Sequence, residues 1–181
     1  MKFEDAQKDM NCSYFGGATG VLVSGLIWSI AGSIALLYSN QASMLALFLG
    51  GMFIHPLAIL FSKTLNRSGN HEPNNPLGKL ALESTIILFV GLFLAFFVAK
   101  LQVEWFYPIM LMIIGVRYLI FNTLYGIKTY WILGVSLMLS GILCILLNAN
   151  FVIGAFIGGV TEIIFALVIF SQSRDLVIKA A

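Results

Sequence analysis

The chain has 181 residues, 60% of them hydrophobic and 10% charged, and a mean hydropathy of +0.97, whereas a soluble domain carries about 25% charged residues. A soluble globular protein is excluded. A net charge of +2 is too small for the electrostatic footprint of a nucleic-acid binder, so no nucleic-acid partner is expected.

A bilayer core about 30 Å thick takes roughly 20 apolar residues in helical form. Six such runs occur, at 15–38, 42–62, 80–99, 105–124, 131–147 and 151–171. Backbone in hydrocarbon must satisfy its own hydrogen bonds, and the alternation of a barrel strand is absent. The sequence therefore predicts an all-α, polytopic transmembrane bundle of six helices, one domain over 1–181, with the lipid bilayer as its first partner.

Ahead of the first run, residues 1–14 mix charges and lack a small-residue cleavage site, which argues against a removable signal peptide. Phe3, Ala6 and Met10 share a helical face, consistent with an interfacial lead-in helix; a disordered tail is the alternative. Cys12 and Cys144 indicate neither a disulfide nor a metal site. No cofactor is expected.

With six spans both tails lie on one side, together with the loops at 63–79 and 125–130. Lys2, Lys8, Lys63, Arg67, Lys79, Lys128, Arg174 and Lys179 fall there, against Lys100 alone on the other side. The positive-inside rule makes that side, and both termini, cytoplasmic. Trp105, Phe106 and Tyr107 at one interface, and Tyr130 and Trp131 at the other, suit aromatic belts.

The first run carries ridges of small residues, Gly16, Gly20 and Ser24 beside Gly25, Ser29 and Ser33. Similar ridges recur in other runs, and small residues spaced by four let helices approach closely in lipid. Such faces also suit a homo-oligomer. Phe48-Leu-Gly-Gly51 in the second run can be laid over Phe156-Ile-Gly-Gly159 in the sixth, a pattern that internal repeats would produce.

In the second run, Gly50 and Gly51 precede His55 and Pro56. Proline frees the carbonyl four residues back, so a helix break is expected here, with the imidazole as proton carrier or ligand. A kink held by packing is the plainer alternative. The loop at 63–79 is rich in asparagine and other turn residues and predicts an ordered cap, in which His71, Glu72 and Asn75 line an entrance or merely connect. Asn75-Pro76 suits an N-cap and first-turn proline, which would put Glu83 about two turns inside the third span.

Arg117 in the fourth run lies seven residues from its inner end, about 10 Å deep at the helical rise. Tyr118, Asn122 and Tyr125 extend its polar surface. Glu162 in the sixth run continues the Gly154 and Gly158 ridge. Ionisable groups within a span cost roughly 2.5 to 3.5 kcal/mol each, so His55, Glu83, Arg117 and Glu162 are candidates for one ligand- or proton-binding layer. Arg117 keeps its charge and needs a carboxylate partner, Glu162 or Glu83.

Three strings, Phe-Leu-Gly-Gly-Met-Phe-Ile-His55-Pro56, Asn75-Pro76-Leu-Gly-Lys-Leu-Ala-Leu-Glu83-Ser-Thr85 and Arg117-Tyr118-Leu-Ile-Phe-Asn-Thr-Leu-Tyr-Gly126, together resemble a family of small bacterial integral-membrane proteins of unknown function. The resemblance runs over nearly the whole chain. It implies a six-span protein of the bacterial inner (cytoplasmic) membrane and carries no activity with it. In size and span count the chain is also similar to the substrate-binding subunits of energy-coupling-factor vitamin transporters.

Three functions compete. The first is a small-molecule or ion transporter, or a membrane substrate-binding subunit, with a polar site in the cytoplasmic half. The second is a non-catalytic interaction or structural protein whose buried Arg–Glu pair serves folding only. An intramembrane enzyme is third and least supported, since no activated nucleophile is apparent.

Overall fold

The structure, a computed structural model, describes residues 1–178, with side chains described as far as Ser173. Seven α-helices make up the described chain: α1 (Phe3–Tyr14), α2 (Ala18–Leu37), α3 (Asn40–Thr64), α4 (Leu77–Ala99), α5 (Phe106–Tyr125), α6 (Thr129–Leu146) and α7 (Phe151–Ile178). Six stretches are long and apolar enough to cross a membrane, α1 and α2 counting together as one. The six-helix bundle expected from composition is present. Of the basic residues assigned to the inner side, Arg174 and Lys179 lie outside the residues whose side chains are described.

The first span begins later than the apolar run does. Phe15, Gly16 and Gly17 all have positive φ, at 52°, 60° and 81°, a region that costs glycine nothing. This left-handed turn separates α1 from α2, and Tyr130 locks it by donating to the Gly16 carbonyl at 2.6 Å. Residues 1–14 are thus a helix, and it is packed: Ala6 and Met10 are buried against Leu77 and Leu124.

Asparagine and aspartate side chains tie α1 to the loop between α3 and α4. Asn75 donates to the Ala6 carbonyl at 3.0 Å and to Asp9 at 2.7 Å, and its own oxygen caps the first turn of α4 by accepting from Leu77 N at 2.9 Å. Glu72 N reaches Asp9 at 3.0 Å, Ser13 donates to the Asn70 carbonyl at 3.0 Å, and Tyr14 meets His71 Nδ1 at 2.8 Å. His71, Glu72 and Asn75 therefore clasp α1; they do not line an open entrance. The end of the bundle carrying this clasp is called basal below, and the opposite end distal.

The six long helices follow one another around a ring. Neighbours pack from α3 to α2, α7, α6, α5 and α4, with α5 also touching α7 inside. Two crossings bring backbones together at glycine. A Cβ on Gly25 of α2 would lie 2.8 Å from the Gly159 carbonyl of α7, and one on Gly115 of α5 would lie 2.6 Å from the Gly134 carbonyl of α6. Only glycine permits these approaches, and in lipid such contact is what drives association. Trp28, Phe106, Tyr107 and Phe151 fill the distal centre with ring contacts of 4.8 to 6.3 Å.

Hydroxyls pin α3 to α2. Ser43 donates to the Ala31 carbonyl at 2.6 Å and so accepts from Tyr107 at 2.6 Å, while Ser62 donates to Ala58 O and accepts from Thr19 at 3.0 Å. Between those pins α3 is continuous. The break expected at Gly50, Gly51 and Pro56 is absent, because all three lie inside one uninterrupted helix. Proline removes a single backbone bond, and packing on both sides of it, Gly50 on Ile27 and the buried Ala58, holds the helix in register. The seam where α3 would close on α4 stays open.

Candidate functional site

Glu162 is the one acidic or basic residue among the described residues with no exposed surface. Its place follows from the ridge beneath it. Gly158 packs on Trp28 and Gly159 on Gly25 and Ser29 of α2, so the next turn of α7 also faces inward and carries the carboxyl to the junction of α2, α5 and α7. Tyr118 of α5 donates to Oε1 at 2.7 Å. Ser24 of α2 stands beside the same carboxyl. Oε2 makes no hydrogen bond.

Arg117 precedes Tyr118 and so points about 100° away, toward α4. Its Nη2 donates to Thr85 at 3.2 Å, its guanidinium lies 5.1 Å from the Phe121 ring centroid, and its buried Nε has no partner. Neither Glu162 nor Glu83 reaches salt-bridge distance of it. The expected Arg–Glu pair is absent. Two consecutive residues of one helix cannot both face α7, and Tyr118 occupies that direction.

Glu83 is exposed on the outer face of α4. Gly91, eight residues further on at 3.6 per turn, is offset from Glu83 by about 80°. Gly91 packs on Ile113, and Thr85, two residues beyond Glu83, takes the inward position. His55 is exposed on α3, though near enough to Arg117 to feel its charge. It flanks the open seam and stands apart from Glu162.

Asn122 serves the turn into α6. With its amide oriented to satisfy its partners, it donates to the Ile127 carbonyl and accepts from Trp131 Nε1, both at 3.2 Å. Tyr118, Phe121, Tyr125 and Tyr130 form a continuous aromatic cluster with centroids 5.4 to 5.9 Å apart. That cluster separates Glu162 from the α1 cap. Asn11 seals the cap, donating to the Tyr125 carbonyl at 3.2 Å and accepting from Ser173 at 2.7 Å.

The structure thus brings Tyr118 and Glu162 together, sets Arg117 on the adjoining face, and leaves His55 and Glu83 at the periphery. Sequence reasoning missed Ser24, Thr85 and Phe121. Ser24 had been read only as a packing residue, and a threonine two residues from a glutamate carries no signal of its own. Chemically, a carboxyl with one oxygen held by a phenol and the other unbonded can take up a proton or a cation, and a guanidinium with a free N–H can meet an anion. Among the described residues no cluster of His, Cys, Asp and Glu could hold a metal ion.

This is a polytopic α-helical membrane protein with a buried acid and a buried base in adjoining helix interfaces and no ion pair joining them. Over residues 3–172 it matches the family described as "Family of unknown function (DUF7010)", and the chain belongs to that family. No curated protein and no solved structure matches it.

Proposed function

We propose that the protein is a small-molecule or ion carrier, or a membrane-bound substrate-binding subunit, in which Glu162 takes up and releases a proton or cation. The observation that supports this reading is the half-satisfied carboxyl: Glu162 has no exposed surface, Tyr118 donates to Oε1 and Ser24 stands beside the group, and Oε2 makes no hydrogen bond. A group kept solely for packing would lower its cost by using both oxygens, or by being apolar. Arg117, with an unbonded Nε between α4 and α5, offers a place for an anionic group of the solute. In this reading the basal end faces the cytoplasm, and α1 with its clasp closes that end. The competing structural reading relies on an Arg117–Glu162 contact that the geometry does not contain.

Infrared difference spectroscopy on the reconstituted protein tests the proposal without knowledge of the solute. A carboxyl band that responds to bulk pH across the neutral range and vanishes in Glu162→Gln is the expected result. A Glu162 signal that never responds to bulk pH would mark a sealed structural group and defeat the reading.

A further inference from the structure

The open seam between α3 and α4 forms a groove of about 410 Å³ in the distal half of the bundle. Leu45 and Phe48 of α3 and Leu92, Phe93 and Phe96 of α4 line it, and Lys100 stands at its distal mouth. The volume lies in the range of small-molecule sites, and the groove is long, apolar and open along the bundle's side. A hydrocarbon chain fits that description. Lys100 supplies a second, independent constraint. It follows the last turn of α4, its ammonium lies 5.2 Å from the Phe97 ring centroid, and it makes no ion pair among the described residues. Lysine at the end of an apolar helix extends along the surface to the headgroup level, where phosphates lie. No other basic residue stands at the distal end of the described chain.

We propose that this groove is a seat for one anionic phospholipid, an acyl chain lying between α3 and α4 and the phosphate meeting Lys100. The charge complementarity favours a lipid over a protein helix. A helix inserted in the groove would bury the lysine against apolar surface, whereas a lipid places its anionic head where the ammonium already is. The proposal is independent of Glu162, which lies on another interface.

Native mass spectrometry of the full chain released from detergent tests it, using dioleoyl phosphatidylglycerol and dioleoyl phosphatidylcholine, whose chains are identical. Wild type is expected to retain one phosphatidylglycerol with about a fivefold preference, the ratio appropriate to a single lysine at an anionic lipid surface. Lys100→Gln should abolish the preference while leaving chain retention, and Leu45→Trp, at an exposed position that tolerates bulk, should abolish retention of both lipids. Equal retention of the two lipids by wild type overturns the proposal. So does a preference that survives both substitutions, which would put the lipid elsewhere, or a dimer that Leu45→Trp dissociates, which would give the groove to a second copy.

Discussion

Arg117 and Tyr118 are consecutive in α5, yet one reaches Thr85 of α4 at 3.2 Å and the other Glu162 of α7 at 2.7 Å. The divergence is a consequence of helical pitch, and it divides what looked like one ion pair into two separate polar contacts. Each contact leaves a buried atom unbonded, Nε on one side and Oε2 on the other. Only charge acting across the core, and no shared hydrogen bond, therefore links Arg117 to Glu162.

A double-mutant cycle on thermal stability measures that link. Arg117→Met with Glu162→Gln should show a weaker coupling than a hydrogen-bonded pair, since the two side chains share no hydrogen bond. Tyr118→Phe with Glu162→Gln should couple by about 1 kcal/mol, since those two share a hydrogen bond. If the first pair couples more strongly than the second, the charges meet after all. Arg117→Met alone should be neutral or stabilising, because a half-satisfied buried cation gives way to an apolar side chain of similar length.

Glycine substitutions should separate the packed crossings from the open surface. At Gly115 a Cβ meets the Gly134 carbonyl at 2.6 Å and Met138 N at 3.1 Å, backbone atoms that cannot move without parting the helices. Gly115→Ala is expected to cost about 1 to 3 kcal/mol. At Gly51 a Cβ meets nothing within 4 Å, so Gly51→Ala should raise stability by about 0.5 to 1 kcal/mol through helix propensity. Melting temperatures of the two variants in one detergent give the comparison. A loss at Gly51 would show that α3 needs a flexible point there, as the sequence first implied.

How much of this was legible beforehand differs between the scaffold and the site. The spans were readable because length and composition alone decide them. The predicted run 42–62 lies within α3 (Asn40–Thr64), and 105–124 matches α5 (Phe106–Tyr125) to a residue. The direction each residue faces was far less readable. Amphipathicity marks the buried side of a helix in water, but here both sides are apolar, one for lipid and one for neighbours. A proline beside His55 and a helix cap ahead of Glu83 fix depth along a helix and not direction around it, and both side chains face outward. Glu162 lies on the buried side because Gly158 and Gly159, four and three residues before it, pack on α2, whereas Gly154, eight residues away, packs on Tyr107 of α5.

The clasp on α1 should be separable from the bundle. Asn75 contributes three hydrogen bonds, to Ala6, Asp9 and Leu77, so Asn75→Ala removes both a helix cap and the tie to α1. The cap accounts for about 1 kcal/mol, and each buried partner left unbonded adds to the loss. Hydrogen exchange should rise across residues 3–14 and the 65–76 loop while α5, α6 and α7 remain protected, since these helices hold one another through Gly115, Gly134 and the aromatic cluster rather than through Asn75. Asp9→Asn, which keeps a side-chain oxygen in the place of the one that receives Asn75 and Glu72 N, should release α1 far less. Equal release in both variants would mean that the charge of Asp9, and not its geometry, holds the cap.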